Sequence, residues 1–181
     1  MIERILKMDA KLSYALRVSS VDGVLGKMFA FFAHSGDSWF WLAGMGVIWI
    51  FAKGDWHNYA GFLAISIFAL AVLVMAIKFS VKRTRPPGEW GEVYRATDPH
   101  SFPSGHAARA IMLAVLALVL GPHWFGILVV IWAPLVTLAR VVMGLHYISD
   151  VVVGALLGLL SGYVFIWLYP WMLAYVPIVF K

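Results

Sequence analysis

The sequence predicts an all-α, polytopic membrane protein with five to six membrane-spanning helices and an N-terminal amphipathic helix at the interface. Of its 181 residues, 62% are hydrophobic and only 13% are charged, and the mean hydropathy is +0.87. A soluble domain carries roughly 25% charged residues, so this chain has too few charges to cover a water-facing surface. Its nine Trp and seven Tyr are residue types that gather where membrane and water meet.

The first 36 residues are expected to form interfacial or half-inserted helices. Apolar residues and cations occupy different faces of a helix in this region, a pattern typical of a helix lying in the membrane surface. The apolar face holds Ile5, Met8 and Leu12, and the cationic face holds Arg4, Lys7 and Lys11. Together with Glu3 and Asp9, these charges interrupt the apolar core that a secretory signal peptide needs, so we do not expect one here. The apolar stretch 24–33 is short, and it fits either a half-inserted helix or part of a sixth span.

Five apolar stretches follow, and each is predicted to span the membrane. They cover residues 38–52, 59–77, 104–120, 124–143 and 149–169. A span needs about 20 apolar residues, so the first stretch is short and could begin inside the preceding segment. We expect one domain over 1–181, with a transmembrane core over 37–169 and an apolar tail over 170–181.

Alternating spans place the connections 78–103 and 144–148 on the same side of the membrane. Most polar residues that can do chemistry lie in these two connections or at the adjoining helix ends. Ionisable residues beside membrane spans are costly and are functional candidates by default. The two connections are therefore expected to form one site.

The first cluster of candidates ends the second span. Lys78 and Arg85 are separated by six residues, and Pro86 and Pro87 fix the backbone after Arg85. The planar guanidinium of Arg suits phosphate because it donates two parallel hydrogen bonds. Lys82 and Arg83 between them are interpreted as cations that snorkel to the headgroups.

The second cluster is Pro103-Ser104-Gly105-His106, directly before the third span. Ser104 can cap the helix, Gly105 permits close approach of the backbone, and free N–H groups at a helix N-terminus bind anions. The alternative interpretation is a capped helix start with an incidental His106.

The third cluster is Arg140, His146 and Asp150. Residues four apart meet on one helical turn, and a carboxylate on one imidazole nitrogen leaves the other nitrogen free to attack. The alternative interpretation is a structural His–Asp pair with Arg140 snorkelling.

Together the three clusters resemble the motifs of the type 2 phosphatidic acid phosphatases, which share a site with vanadium haloperoxidases. The order and the internal spacings match throughout the window from Lys78 to Asp150. The resemblance implies that His146 attacks phosphorus and that Asp150 orients it. It also implies that His106 is the acid and then the base, while Lys78, Arg85, Ser104, Gly105 and Arg140 bind the phosphate.

The sequence departs from the family pattern at Ala139, where the third motif usually begins with Ser, so one possible hydroxyl donor is lost. Arg109 is an addition that the motif does not require, and we expect it to contact the substrate or the 89–98 loop. The loop 87–102, with Trp90 and Tyr94, is the expected lid or selectivity element.

The resemblance implies an integral membrane lipid phosphatase that forms a phosphohistidine and uses no metal or other cofactor. The candidate substrates are a polyprenyl diphosphate such as undecaprenyl diphosphate, phosphatidylglycerophosphate and phosphatidic acid. We expect no nucleic-acid partner, and the sequence leaves the oligomeric state open. By resemblance the site faces the periplasm from the inner membrane.

Two other functions are compatible with the same sequence features. A flippase or transporter would bind phosphorylated lipids without cleaving them, and a structural membrane protein would carry the motif residues by coincidence. The positive-inside rule also opposes a periplasmic site, because twelve of the fourteen Lys and Arg lie on the site's side if the N-terminal helix does.

Overall fold

The computed structural model describes residues 2–18, 23–87 and 98–180, and over these ranges the chain is helical without a strand. The all-α prediction is therefore confirmed. An isolated bridge pairs Thr84 with His100. The helices are α1 (Ile2–Ala15), α2 (Val24–Ser35), α3 (Ser38–Phe51), α4 (Asp55–Val81), α5 (Gly105–Leu120), α6 (His123–Val142) and α7 (Ile148–Tyr175).

Three of the described helices, α4, α6 and α7, are long and apolar enough to cross a membrane. The apolar helices α3 and α5 have 14 and 16 residues. At 1.5 Å per residue they extend about 21 and 24 Å, less than the hydrocarbon core of about 30 Å. The predicted polytopic membrane protein thus has three full-length spans and two shorter apolar helices.

Helices α5 and α7 approach so closely that their contact requires glycine on α7. A Cβ atom at Gly158 would lie 2.1 Å from the Ala108 carbonyl oxygen, and one at Gly154 would lie 2.5 Å from that of Ser104. Small residues of this spacing are typical of close helix packing in membranes. The packing brings the first turn of α5 beside the first turn of α7, where the Ser104 N–H donates to the Asp150 carbonyl over 2.9 Å.

Helix α1 docks on the start of α7. The backbone N–H of Ile148 donates to Ser13 Oγ over 2.9 Å, and that of Ser149 donates to Asp9 Oδ1 over 3.1 Å. These bonds satisfy N–H groups that a helix start leaves unpaired. The predicted apolar face of α1 points away from the protein, with Ile5 60% exposed, so its placement in the interface stays a prediction.

Two boundaries differ from the sequence expectations. Helix α3 begins at Ser38 and does not extend back into α2, because the chain turns at Gly36 and Asp37. Helix α7 continues through Pro170 to Tyr175 instead of ending near residue 169. The segment after it returns to the α3–α4 turn, where the Trp49 indole N–H donates to the Val179 carbonyl over 2.9 Å.

We predict that Gly158→Ala destabilises the protein, because its methyl group would overlap the backbone of α5. Overpacking costs about 1–3 kcal/mol, which corresponds to a fall in Tm of about 2–12 °C for a chain of this size. Thermal unfolding in detergent measures the change. Gly46→Ala in α3 is the matched control, because a Cβ there has no neighbour within 4 Å, and an equal Tm loss in both variants would contradict the packing argument.

Candidate active site

A cavity of about 420 Å³ opens between the first turns of α3 and α5 and the C-terminal half of α4. Its polar wall includes His106 and His146, although they belong to different motifs in the chain. Its apolar wall comes from α4 and is formed by Ile67, Leu70, Ala71, Val74 and Met75. The two imidazoles of the second and third motifs therefore line one cavity.

The tautomer of His146 follows from its neighbours. Arg85 Nη1 lies 3.2 Å from His146 Nε2, and a guanidinium can only donate. Nε2 must therefore be the acceptor, which leaves the proton on Nδ1, 3.5 Å from Asp150 Oδ2. That separation exceeds an ordinary hydrogen bond. The arrangement directs the lone pair of Nε2 toward the cations of the cavity.

His146 is also held neutral by its surroundings. The side chain is 1% exposed. Burial, together with the positive charges of Arg140, Arg85 and Lys78, holds the pKa of His146 well below its usual value. Because desolvation and like charges both disfavour an imidazolium, the nucleophilic lone pair stays available at neutral pH.

Asp150 is fully buried and accepts hydrogen bonds on both oxygens. Arg83 Nη1 donates to Oδ1 over 2.6 Å, and the Tyr147 N–H donates to Oδ2 over 3.0 Å. The interpretation of Arg83 as a snorkelling cation is therefore wrong. A buried carboxylate needs a positive partner, and Arg83 supplies it. Lys82, in contrast, is exposed and ends α4 in a left-handed conformation.

Arg83 also joins α1 to the site. Its Nη2 donates to Asp9 Oδ2 over 2.8 Å, its Nη1 donates to Ser149 Oγ over 2.6 Å, and its guanidinium lies 4.1 Å from the centre of the Tyr147 ring. Asp9, Arg83 and Asp150 thus form a continuous ion-pair chain that ends beside His146. Sequence reasoning missed this chain because Asp9, in the first helix, lies far along the sequence from either partner.

Lys78 and Arg85 converge on one carboxylate. Asp98 Oδ2 accepts from Lys78 Nζ over 2.5 Å and from Arg85 Nη2 over 2.8 Å. The side chains of the two cations are 3% and 1% exposed, whereas that of Asp98 is 28% exposed. Two buried donors directed at one oxygen mark an anion-binding position. Asp98 occupies it, and the motif analysis did not single this residue out.

The remaining predicted phosphate contacts are close by. Arg140 is fully buried, and its Nη1 donates to the Ala33 carbonyl over 3.1 Å. Ser104 caps α5 as predicted, since its Oγ accepts from the Ala107 N–H over 3.4 Å, and Gly105 lines the cavity. All eight predicted site residues therefore gather around the first turns of α5 and α7.

Ala139, the departure from the motif, is fully buried in a small apolar cluster. The cluster contains Ala33, Ala139, Met143 and Leu145. A methyl group suits this position because a hydroxyl would need a hydrogen-bond partner there.

Helix α5 contacts the turn between α2 and α3 through the side chains of His106 and Arg109. His106 Nε2 lies 2.6 Å from Asp37 Oδ1. Arg109 Nε donates to the Gly36 carbonyl over 3.1 Å, and its Nη1 donates to Ser38 Oγ. Arg109 also lines the cavity. Arg109 was expected to contact the substrate or the 89–98 loop, and its contacts with this turn were not predicted from the sequence.

The expected lid falls largely on residues 88–97, so Trp90 and Tyr94 lie outside the described residues. Within the described part of the chain, no three His, Asp or Glu side chains converge as metal ligands. The site is instead built from cations, two imidazoles and paired carboxylates.

Comparison with known proteins gives a consistent result. The family model of the PAP2 superfamily matches residues 59–173. An undecaprenyl-diphosphatase of Sulfolobus acidocaldarius is 30% identical over 139 residues, which are 74% of this chain and 66% of that protein. The chain thus spans just under two thirds of that relative. A decaprenylphosphoryl-5-phosphoribose phosphatase of Mycobacterium tuberculosis is 35% identical over 134 residues, or 72% of each chain.

One solved structure shows the same fold. It is a transmembrane PAP2-type phosphatidylglycerolphosphate phosphatase from Bacillus subtilis. The TM-score is 0.71 at 23% identity, and the match covers 90% of this chain and 84% of that one.

We predict that Asp98→Asn tightens binding of inorganic phosphate by about tenfold. The wild-type carboxylate competes with the anion for Lys78 and Arg85, and a hydrogen bond to a charged group contributes about 1.5–3 kcal/mol. Isothermal titration calorimetry in detergent measures the affinity. Asp55→Asn at the exposed start of α4 is the control, and weaker phosphate binding by Asp98→Asn would show that this carboxylate does not hold the anion position.

Proposed function

Because the chain belongs to the PAP2 superfamily, we propose that it is an integral membrane phosphatase that hydrolyses a lipid phosphate through a phosphohistidine on His146. One observation carries the proposal. The lone pair of His146 Nε2 is directed toward Arg85, and Arg85 and Lys78 together hold a carboxylate where a phosphoryl group would bind.

In the first step, the His146 Nε2 lone pair attacks phosphorus and the bond from phosphorus to the lipid oxygen breaks. His106 gives a proton to the leaving oxygen, and the proton on His146 Nδ1 stays with the ring beside Asp150. The phosphohistidine carries positive charge on its ring, which the Asp150 carboxylate stabilises. Forming a covalent intermediate divides one difficult displacement into two easier ones.

In the second step, His106 takes a proton from water, and the resulting hydroxide oxygen attacks phosphorus. The bond from phosphorus to Nε2 breaks, the electron pair returns to His146, and inorganic phosphate leaves. Phosphoryl transfer depends mainly on positioning and on stabilising spread negative charge. Lys78, Arg85 and Arg140 supply that charge, and the N–H groups at the start of α5 supplement it.

The charge balance of the site fits a dianion. The described site contains five cations and four carboxylates, so these nine groups together carry one net positive charge, with the two imidazoles left out of the count. The cations are Lys78, Arg83, Arg85, Arg109 and Arg140, and the carboxylates are Asp9, Asp37, Asp98 and Asp150. Displacing Asp98 would leave two positive charges, which match a phosphate monoester dianion.

The cavity also suits a lipid. Its apolar wall on α4 continues from Leu70, which is 2% exposed, to Met75, which is 38% exposed. An apolar chain could therefore lie along α4 while its phosphate contacts the cations. We propose a polyprenyl diphosphate or related prenyl phosphate as the substrate, since the names of two relatives specify prenyl lipids. Phosphatidylglycerophosphate and phosphatidic acid are the competing substrates.

We predict that the purified protein in detergent releases phosphate from undecaprenyl diphosphate and that His146→Ala lowers this rate by at least about 10⁴-fold. Removing the nucleophile of an enzyme that works through a covalent intermediate costs a factor of that order. Phosphate release with excess chelator present measures activity, because the cations replace a metal in this mechanism.

His123→Ala is the matched control, since that histidine is exposed at the opposite end of α6. Binding of the lipid without phosphate release by the wild type would favour the transporter or flippase alternative. Faster release from phosphatidic acid or phosphatidylglycerophosphate would replace the prenyl substrate and leave the mechanism unchanged. Loss of activity with chelator and recovery with Mg²⁺ would contradict the metal-free chemistry.

We further propose that the site faces the periplasm from the inner membrane, by resemblance to bacterial lipid phosphatases. The cations of α1 argue for the cytoplasm under the positive-inside rule, because α1 docks on the site's side. Five further cations on that side belong to the proposed site. Their position is explained by the site and is not evidence for a cytoplasmic orientation.

The cysteine-free chain allows a direct test of this sidedness. A membrane-impermeant maleimide added outside intact spheroplasts should label Tyr14→Cys on α1, where Tyr14 is 70% exposed. It should label Lys53→Cys, in the turn before α4, only after permeabilisation. The reverse pattern would place the site in the cytoplasm.

A further inference from the structure

Asp37 directs its carboxylate away from the helix that it precedes. It occupies the N-cap position of α3 but makes no side-chain capping bond, although Asp at this position ordinarily accepts from a backbone N–H of the first turn. Its Oδ1 instead lies 2.6 Å from His106 Nε2. The two side chains are 18% and 14% exposed and line the same cavity. The Asp37 carboxylate therefore contacts the His106 imidazole and does not cap α3.

The turn that carries Asp37 is fixed against α5 and α6. Arg109 donates to the residues on both sides of Asp37, namely the Gly36 carbonyl and Ser38 Oγ. A Cβ atom at Gly36 would lie 3.2 Å from His106 Cδ2 and 2.8 Å from Val136 Cγ1. A methyl group at this position would overlap Val136 and crowd the imidazole. These contacts account for Arg109, which the three motifs leave unexplained.

The charges around His106 make this carboxylate important. Burial of the ring, together with Arg140 of α6, Arg109 of α5, His146 in the α6–α7 connection and Lys78 of α4, acts against a positive charge on it. On the α2–α3 turn, Asp37 is in direct contact with the ring, and His34 Nδ1 lies 3.5 Å from Asp37 Oδ2. Opposite charge favours the protonated form of an imidazole. An ionised carboxylate can only accept, so the contact places a proton on Nε2.

We propose that Asp37 is a positioning residue that keeps His106 protonated, with the Nε2 proton held at the cavity, so that His106 can act as the general acid. The inference rests on the proposed phosphatase function and adds a second carboxylate–imidazole pair to it. As the bond from phosphorus to the lipid oxygen breaks, the Nε2 proton moves to that oxygen and His106 becomes neutral. In the second step His106 regains a proton from water, and Asp37 stays ionised throughout.

Asp37→Asn tests the proposal, because it removes the charge and keeps the shape. We expect kcat for phosphatidic acid, whose alkoxide must be protonated, to fall by about 10²-fold, at the lower end of the range for general acids. For 4-nitrophenyl phosphate, whose phenolate leaves unprotonated, kcat should change less than about threefold. The basic limb of the phosphatidic acid pH profile should move to lower pH, because the imidazolium loses its counter-charge.

His34→Gln is the matched control, since it changes the other imidazole beside Asp37, which is half exposed; both activities should stay within about twofold of the wild type. Equal losses on both substrates in a folded Asp37→Asn variant, or no loss on either, would overturn the proposal. A wild type that cleaves only the aryl ester would also overturn it, because no general acid would be at work.

Retained aryl phosphatase activity shows that Asp37→Asn is folded. If that variant does not fold, the proposal is tested with Asp37→Glu, which keeps the negative charge. The proposal requires Asp37→Glu to hydrolyse phosphatidic acid within about tenfold of the wild-type kcat, and a lower rate with full aryl activity would overturn it. Failure of the phosphatase function itself is distinct, since the wild type would then release no phosphate from any of these esters.

Discussion

The structure depends on a single electrostatic constraint, which is that cations buried beside a membrane need carboxylates within the protein. Lys78, Arg83 and Arg85 have side chains that are 3%, 18% and 1% exposed. Removing charges from water is expensive unless they are paired. Their partners Asp9, Asp98 and Asp150 come from three distant parts of the chain. Pairing these charges therefore folds α1, the 78–103 connection and α7 onto one another.

The same constraint explains why a carboxylate holds the anion position. Asp98 satisfies Lys78 and Arg85 from within the protein, so two buried cations are never left facing each other alone. A bound phosphoryl group would take over these hydrogen bonds and free the more exposed carboxylate. Stability of the fold and affinity for the ligand thus oppose each other at Asp98.

The sequence was sufficient to predict the helical class, the five apolar helices and the convergence of the three motifs. Each depends on local signals: hydropathy runs, helix breakers and spacings within one or two turns. The sequence was not sufficient to predict that Arg83 is an ion-pair partner within the site. Arg83 directly follows the exposed Lys82, and both are cations at the end of the same helix. What distinguishes the two is that Asp9, from the first helix of the chain, meets Arg83 in space. No periodicity encodes a contact of that kind.

Asp37 was missed for a related reason. An Asp directly before a helix is a normal capping residue, and only the three-dimensional position of His106 shows that its carboxylate is used elsewhere. Helix α7 is longer than predicted. Pro170 removes one backbone hydrogen bond but does not end the helix, and packing continues beyond it. In both cases tertiary contacts, rather than the local sequence signal, determine the outcome.

In the proposed mechanism, the two histidines serve opposite needs within one cavity. A nucleophile must keep its lone pair, whereas a general acid must keep its proton. His146 Nε2 faces the guanidinium of Arg85, a donor that accepts nothing. His106 Nε2 faces the carboxylate of Asp37, an acceptor that donates nothing. Separating the protonation states of two similar groups by their nearest charges is a general way to assign acid and nucleophile roles. In this protein the two rings meet different partners because the turn before α3 carries a carboxylate to one ring and the loop after α4 carries a guanidinium to the other.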